Sequence, residues 1–404
     1  MRRIRRVYVE DSNTPIYRRI AYALGAEFGR CGIEVALVNP EAFDTKTYLE
    51  LLKGGRSAVY VANAGSNLIQ QRVPGQDNYF FERFAGRVVF LHQDTLLGGL
   101  GVLEGVAKLT AWIRMAERSI HLCIEPSCIT ALQQLGIAHV HWVPHASETP
   151  LTNPQTSEFH CDASFVGHVM PSRHRARHHA PRLQQFIDAC LTLRRLDFSQ
   201  SLHERVKAHV DGALEGIGTP VDRTLLGISQ QEWVRTQISL QTMTERGWLL
   251  ESAALPSLDI FGGDPAYLHG VARREALQVA GVRTHDPVYE PRDIQRVFRG
   301  SRVNINYSSL QFDHAVVNRF HDITMAGGLC LTDARSGLAE LTDRHEEVSF
   351  RNVDELRDKV AYFSKPANMK KRVLLIKLLQ ADVQNRSGYP LLVRKAMEAL
   401  AALP

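Results

Sequence analysis

Short apolar runs alternate with longer amphipathic segments through the first 150 residues of the chain. Several runs are almost continuously apolar, which is typical of strands that are buried on both faces of a parallel sheet. Helical periodicity over residues 15–30 separates the first two runs. The pattern predicts a doubly wound α/β domain over residues 1–150, with strands at residues 7–9, 34–38, 57–62, 87–91, 120–124 and 140–143.

A polar stretch punctuated by Pro150 and Pro154 comes next, and it predicts a linker over residues 151–162. A second series of apolar runs then begins. It predicts another doubly wound domain over residues 163–390, with a long helical stretch at residues 175–255. Apolar periodicity predicts one more helix over residues 391–404, which must pack against another part of the chain.

Residues 303–333 have the pattern of a strand, a polar loop, a short helix and a second strand. The helix carries Asp322 near its start and is followed by the pair Gly327 and Gly328. A helix N-terminus at the carboxyl edge of a parallel sheet suits a phosphate, and a nearby carboxylate can accept hydrogen bonds from ribose hydroxyls. The segment therefore predicts half of a nucleotide-binding site.

The composition is that of an ordinary globular protein, with 44% hydrophobic and 23% charged residues in 404. A net charge of +5 gives little support for a nucleic-acid partner. The basic start is followed by only a short apolar run, and no run approaches the roughly 18 residues of a membrane span. We therefore expect a soluble, cytoplasmic protein without a transmembrane segment, whose oligomeric state the sequence leaves open.

The six cysteines contain no CxxC pair, so we expect buried thiols and no metal site. The chain also lacks a Walker lysine motif and a GxGxxG fingerprint, which disfavours a P-loop kinase or an ordinary dehydrogenase.

Four features of the C-terminal half resemble the CgeB-like glycosyltransferases, a family named after a spore-maturation protein. They are FVG at residues 165–167 with an arginine soon after, IFG at 260–262, RFHD at 319–322 leading to Asp333, and SGY at 387–389 with Arg394. The likeness covers residues 160–395, where order and spacing agree together. It implies the GT-B fold, in which two Rossmann-like domains face a central cleft, and a last helix that crosses back to the first domain.

The resemblance also implies roles for residues around the donor sugar. In related enzymes two acidic residues eight positions apart flank this sugar, and the second binds the ribose. Asp322 falls on the second position, whereas His314 stands where the first acid is expected, with Asp313 beside it. Either His314 or Asp313 then replaces the missing acid as a catalytic group, or catalysis differs in detail.

Transfer of a sugar builds negative charge on the leaving nucleotide diphosphate, which cationic side chains and backbone N–H groups can stabilise without a metal. A glycine lets a phosphate approach the backbone closely, although a glycine at a strand end can also be a simple turn. In the family the loop that holds Val288 and Tyr289 lies by the nucleobase; loop packing is the plain alternative. The donor-site candidates are Gly167, Arg173, Gly262, Val288, Tyr289, Arg319, Asp322, Gly327 and Gly328.

Acceptor-side candidates follow the strands of the first domain, because ligands of doubly wound sheets bind at the carboxyl ends of the strands. If the reaction inverts the anomeric centre, Asp94 or His92 is best placed to be the general base, although each could instead be a polar cap or an orienting group. The remaining acceptor-side candidates are Asp11, Asn13, Asn63 and, near the linker, His145.

The sequence thus predicts a metal-independent glycosyltransferase of the hexosyltransferase type, without a cofactor, that uses a nucleotide-diphosphate sugar and an unidentified acceptor. A glycan, a protein, a lipid and a small molecule all stay open as the acceptor. One alternative is a nucleotide-sugar epimerase of the same fold. A second is a non-catalytic nucleotide-sugar-binding or partner protein, which the histidine at position 314 motivates, and a periplasmic-type binding protein ranks last.

Overall fold

The computed structural model describes residues 4–40, 44–63, 80–98, 100–148, 159–171, 180–209, 223–262 and 282–403. Over these residues the fold is α/β, with two six-stranded sheets in which every neighbouring pair of strands is parallel. The prediction of two Rossmann-like, doubly wound sheets is confirmed. The strands are β1 (Arg6–Glu10), β2 (Glu34–Val38), β3 (Ala58–Asn63), β4 (Arg87–His92), β5 (Ser119–Cys123), β6 (Val140–Trp142), β7 (Cys161–Val166), β8 (Leu258–Phe261), β9 (Val282–His285), β10 (Ser301–Asn306), β11 (Cys330–Asp333) and β12 (Ser349–Phe350).

Helices connect the strands in both sheets, as parallel pairing requires. No helix in the described ranges is both long enough and apolar enough to cross a membrane. The helices are α1 (Pro15–Arg30), α2 (Thr45–Lys53), α3 (Phe80–Arg83), α4 (Val102–Arg114), α5 (Pro126–Gln134), α6 (Pro181–Leu196), α7 (Leu202–His209), α8 (Arg223–Ser239), α9 (Thr242–Ala253), α10 (Pro291–Gly300), α11 (Asn318–Ala326), α12 (Leu338–Leu341), α13 (His345–Val348), α14 (Val353–Ser364), α15 (Met369–Ser387) and α16 (Tyr389–Ala402).

The chain divides into two compact units. The first contains Met1–Pro144, Val210–Thr236 and Tyr389–Pro404, and the second contains His145–His209 and Gln237–Gly388. Most of α8 therefore belongs to the first unit, whereas the sequence analysis placed all of residues 163–390 in the second domain.

Two contacts hold α8 in the first unit. The carboxylate of Glu232 accepts a hydrogen bond from the backbone N–H of Leu96 at 2.9 Å. The hydroxyl of Ser229 donates to the carbonyl of Val102 at 2.5 Å. Helical periodicity shows which face of a helix is apolar but not which sheet that face will cover, so the boundary at α8 could not be predicted.

The first sheet has the order β2-β1-β3-β4-β5-β6. Its direction of winding reverses between β1 and β3, which is the place where doubly wound sheets open a crevice at their carboxyl edge. Aromatic side chains fill the core beside the central strands. They include Tyr60, Phe80, Phe84, Phe90 and Trp112.

The last helix, α16, packs against α1 and β5 within the first unit. Arg87 donates to the carbonyl of Leu400 at 3.0 Å, and the ammonium of Lys395 lies 5.3 Å from the ring centroid of Trp142. Buried apolar residues of the helix, such as Leu392 and Ala396, explain its periodicity.

The second sheet has the order β12-β11-β10-β7-β8-β9, so its winding reverses between β10 and β7. Polar side chains link these buried strands: Ser164 donates to Asn304 at 2.9 Å, and Asn306 donates to Thr332 at 2.9 Å. The reversal places the residues after β7 and after β10 side by side at the carboxyl edge.

Candidate functional site

Two glycines with positive φ lie at the carboxyl edge of the second sheet. Gly167 follows β7 with φ of 146°, and Gly262 follows β8 with φ of 128°. A Cβ atom on Gly262 would lie 2.6 Å from the carbonyl oxygen of Gly167, and one on Gly167 would lie 2.9 Å from Nη1 of Arg319. Both positions favour glycine because their φ is positive. At Gly262 the neighbouring backbone also leaves no room for a side chain, whereas at Gly167 the neighbour is the flexible end of Arg319.

Two arginines meet beside Gly167. The guanidinium carbon of Arg319 lies 5.8 Å from the ring centroid of Phe165, and that of Arg246 lies 5.9 Å from the same centroid. Arg246 also donates to the carbonyl oxygens of Tyr307 at 3.2 Å and His168 at 3.4 Å. These contacts draw both cations to the point where the sheet reverses its winding.

The two positive charges disfavour each other in this partly buried place. Burial, and then the charge of Arg319, lower the pKa of Arg246 to about 9. Burial also lowers the pKa of Arg319, against the opposing effect of the Asp322 carboxylate. An anion bound between the guanidinium groups would relieve both costs.

Helix α11 adds its positive end to this arrangement. Its N-cap residue, Val317, is extended and makes no side-chain cap. Arg319 lies in the first turn of α11, and Asp322 follows three positions later, so that both side chains leave the helix on one side. A helix N-terminus, two arginines and a carboxylate are suited to a phosphorylated ligand that also carries hydroxyl groups.

The pair Gly327 and Gly328 lies at the C-terminal end of the same helix, and its part in donor binding stays a prediction. Gly327 ends α11 with φ of 86°, and its N–H donates to the carbonyl of Thr324. A Cβ atom on Gly328 would lie 2.7 Å from the carbonyl oxygen of Phe298. The negative end of the helix dipole disfavours a phosphate here, so the pair serves the helix end and its packing.

Asp313 is hydrogen-bonded to the start of α7, and its catalytic role stays a prediction. Its carboxylate accepts hydrogen bonds from the Ser201 hydroxyl at 2.7 Å, the Leu202 N–H at 3.0 Å and the His203 N–H at 2.7 Å. Burial alone would raise the pKa of Asp313, but Arg194 and these hydrogen bonds outweigh it and lower the pKa. Asp313 is a helix cap.

His314 lies between the loops that follow β10 and β11. Its Nδ1 atom is 2.9 Å from the hydroxyl of Ser336, and its Nε2 atom is 3.5 Å from the carboxylate of Glu340. His314 therefore lies at the carboxyl edge of the second sheet. Its catalytic role stays a prediction.

A buried ionic group supports the loop after β10. Asp333 accepts hydrogen bonds from Nε of Arg335 at 2.7 Å and from the N–H of Ser308 at 2.8 Å. Arg194 approaches Asp333 to 3.7 Å and Asp313 to 3.9 Å. The group fixes the path of the chain from β10 toward α11.

The sequence analysis missed Arg246, because a basic residue within a long helical stretch resembles an ordinary solvent-facing residue. A weak signal was present in the glycine that follows it. A Cβ atom on Gly247 would lie 1.9 Å from the carbonyl oxygen of Met170. Glycine at 247 thus lets α9 approach the segment after Gly167, which brings Arg246 to the site.

The predicted nucleobase residues lie between β9 and α10. Val288 is partly buried, whereas the side chain of Tyr289 is 68% exposed. On the neighbouring strands, the ring of His285 stacks on Phe261 with centroids 4.3 Å apart and an angle of 10°. Arg173 lies outside the described residues.

In the first unit, the structure brings Asn63 and Asp94 together around Tyr17 of α1. The phenol donates to the carboxylate of Asp94, and Asn63 is hydrogen-bonded to the same phenol. Burial and then the Asp94 charge raise the pKa of Tyr17. A crevice at this carboxyl edge is lined by Glu10, Tyr17, Asn63 and Gln93.

Asp11 and Asn13 lie beside the same edge but interact with Arg18 of α1. Asp11 accepts from the N–H of Ser12 at 2.8 Å and lies 3.6 Å from Nε of Arg18. Asn13 accepts from Nη2 of Arg18 at 3.2 Å. Their predicted acceptor role stays a prediction.

Two predicted histidines, His92 and His145, are buried, and their catalytic and acceptor-side roles stay predictions. His92 is 1% exposed, with Nε2 at 2.9 Å from Nδ1 of His121, and burial keeps its pKa well below the usual range. His145 is buried in the second unit, with its ring 6.3 Å from Phe312 and 6.4 Å from His321.

The two parallel, doubly wound sheets have the fold of the GT-B glycosyltransferases. Residues 245–385, which include Arg246, Arg319 and Asp322, match a family model described as glycosyl transferase-like.

Solved structures similar to this chain share its fold. Anabaena Alr3699/HepE in complex with UDP has a TM-score of 0.55 and 11% identity, over 99% of this chain and 100% of that one. The same protein in complex with UDP-glucose has a TM-score of 0.53 and 9% identity, over 98% of this chain and 100% of that one. T4 phage BGT in complex with UDP-glucose has a TM-score of 0.51 and 9% identity, over 98% of this chain and 100% of that one. At these identities the likeness shows the fold. A comparison with curated protein sequences finds no match.

Proposed function

We propose that the protein is a hexosyltransferase that takes its sugar from a uridine diphosphate sugar held by the second unit. The observation that carries the proposal is the pair Arg246 and Arg319, both packed on Phe165 beside Gly167. The structural neighbours solved with UDP or UDP-glucose support uridine as the base.

In the proposed reaction, the bond between the anomeric carbon and the phosphate oxygen breaks and leaves negative charge on the diphosphate. Arg246 and Arg319 stabilise that charge where the N-terminus of α11 points at it. The two cations are already held together before the charge develops, so little reorganisation is needed at the moment of reaction. Asp322 accepts hydrogen bonds from the ribose, and Val288 and Tyr289 contact the base.

On the acceptor side, Asp94 is the proposed general base of an inverting transfer. It takes the proton from the attacking hydroxyl, while the hydrogen bond from Tyr17 sets the direction of its carboxylate. Asn63, Asp11 and Asn13 orient the acceptor along the same edge of the sheet.

The proposed transfer does not need a metal ion, because the two arginines supply the charge that a divalent cation would otherwise supply. No cluster of three or more His, Cys, Asp or Glu side chains in the described part of the chain could hold a metal. Activity measured with EDTA and with added Mn²⁺ tests this point.

A non-catalytic protein that binds nucleotide sugars is the second candidate. The observation in its favour is that Asp313 caps a helix and His314 contacts Ser336 and Glu340, where the resemblance implies an acid beside the donor sugar. Tight donor binding without turnover would support it. Conversion of the sugar without an acceptor would instead support an epimerase.

Calorimetric titration with UDP, uridine and the other nucleoside diphosphates tests the donor site. Substitution of Arg246 or Arg319 by Met should weaken UDP binding roughly 10- to 100-fold, because each removes a charged hydrogen-bond donor. Uridine, which has no phosphate, should be affected much less. Arg296→Met is the matched control, since this arginine is exposed on α10 and pairs with Asp293. Unchanged UDP affinity in both site variants would overturn the assignment.

A further inference from the structure

Two of the four places where the chain passes between the two units are at residues 144–145 and at residues 388–389. Next to these points, Ser147 and Gly388 form an isolated parallel bridge. The N–H of Ser147 donates to the carbonyl of Ser387 at 2.7 Å, and the two serine hydroxyls are 3.4 Å apart. Both serines are buried, so the two passages are joined by hydrogen bonds inside the second unit.

His321 of α11 contacts Ser387 of this hydrogen-bonded pair of serines. The hydroxyl of Ser387 lies 3.3 Å from Nδ1 of His321 and donates its proton to the carbonyl of Val383 at 2.7 Å. Nδ1 of His321 therefore carries the hydrogen in their contact. The backbone of Val316, immediately before the helix begins, interacts with the same imidazole, whose Nε2 atom has no hydrogen-bond partner among the described residues.

His321 lies on the same helix as Arg319 and Asp322 of the donor site. The residue follows Arg319 by two positions, so its side chain leaves the helix on nearly the opposite side. It is 2% exposed and packs beside His145. One side of the first turns thus carries Arg319 and Asp322, and the other side is held by Ser387 and Val316.

We propose that His321 is a positioning residue of the donor site: through Ser387 and Val316 it holds the first turns of α11, and so orients Arg319 and Asp322 toward the nucleotide. The inference rests on the proposed function and adds to it a support that joins the donor helix to the chain passages at residues 144–145 and 388–389. His321 does not contact the donor.

Substitution of His321 by Leu removes the Nδ1 donor and retains an apolar side chain. We expect donor KM to rise, or kcat to fall, roughly 10- to 100-fold, because a small displacement of the charged groups is costly. His321→Asn can place an amide N–H near the position of Nδ1, and it should restore most of the loss. His345→Leu, outside this network, should behave as the wild type.

A double-mutant cycle with Ser387→Ala tests whether the two residues act through each other. The effects of His321→Leu and Ser387→Ala should be less than additive, with circular dichroism confirming that each variant is folded. Ser387→Ala keeps the test decisive if His321→Leu fails to fold.

Two outcomes separate this inference from the proposed function. If Arg319→Met abolishes UDP binding but folded His321→Leu and Ser387→Ala keep wild-type KM and kcat, His321 has no positioning part. If Arg319→Met and Arg246→Met both leave UDP binding intact, the donor-site assignment itself is wrong.

Discussion

Acidification should destabilise this protein well above the pH range in which carboxylates titrate, because four histidines in the described part of the chain are buried in their neutral form. His92 and His121 contact each other in the first unit, and His145 and His321 lie together in the second. Burial lowers the pKa of His121, His145 and His321 to about 3 and that of His92 well below its usual value.

The sign follows from the protons bound in each state. An unfolded histidine has a pKa of about 6.5, so between about pH 3 and 6.5 the unfolded chain binds more protons than the folded one. The stabilisation is fully present above pH 6.5 and is lost as the pH falls toward 3. At pH 5 a buried histidine with a pKa of about 3 should cost about 2 kcal/mol, which gives about 4 kcal/mol for His145 and His321 in the second unit.

Such a loss is a large part of the roughly 5–15 kcal/mol that stabilises a typical domain. Asp313 and Asp333 affect the stability of the protein in a separate pH range. Their pKa values are lowered, so the stabilisation that they give the folded state is lost only below about pH 4. The interval from pH 5 to 6.5 therefore reports chiefly on the histidines.

Urea unfolding followed by circular dichroism at pH 7.5, 6.5, 5.5 and 5.0 measures the effect, with the two units fitted as separate transitions. His321→Asn removes one titrating group, so it should lower the pH slope of the second unit by about one proton. His345→Asn provides the control. Equal urea midpoints at pH 7.5 and 5.0, or an unchanged slope in His321→Asn, would refute the reasoning.

Three further predictions concern the sites. Arg319→Met should weaken UDP binding roughly 10- to 100-fold. It should not lower the melting temperature of the ligand-free protein, because it removes a cation that repels Arg246. Thermal-shift assays with and without UDP measure both effects, and a large loss of ligand-free stability would contradict the prediction. Asp94→Asn should lower kcat by about 10²–10⁴ while UDP affinity stays unchanged, and near-normal turnover would exclude the general base. Gly167→Ala should destabilise the second unit by about 1–3 kcal/mol, since alanine rarely adopts a φ of 146° and its Cβ would meet Arg319; an unchanged urea midpoint would count against this.

The candidate site was only partly predictable from the sequence. RFHD at 319–322 located one arginine and one carboxylate, because the first turn of a helix that follows a buried strand is a local pattern. Asp313 and His314 are adjacent in the chain, yet one caps α7 and the other contacts the loop after β11. Arg246 reaches the site from α9, and no local pattern relates it to Arg319.

The alternation of apolar runs and amphipathic segments by itself determined two parallel, doubly wound sheets, because hydrophobic periodicity and strand burial depend on residues that are close in sequence. Only the tertiary structure decided which polar side chains face the carboxyl edges and which are enclosed. A histidine at a strand end, such as His92, has the same local sequence character whether it lies in a core or in a site. Its burial depends on distant residues, as does the meeting of Arg246 with Arg319, so packing between remote segments made these choices.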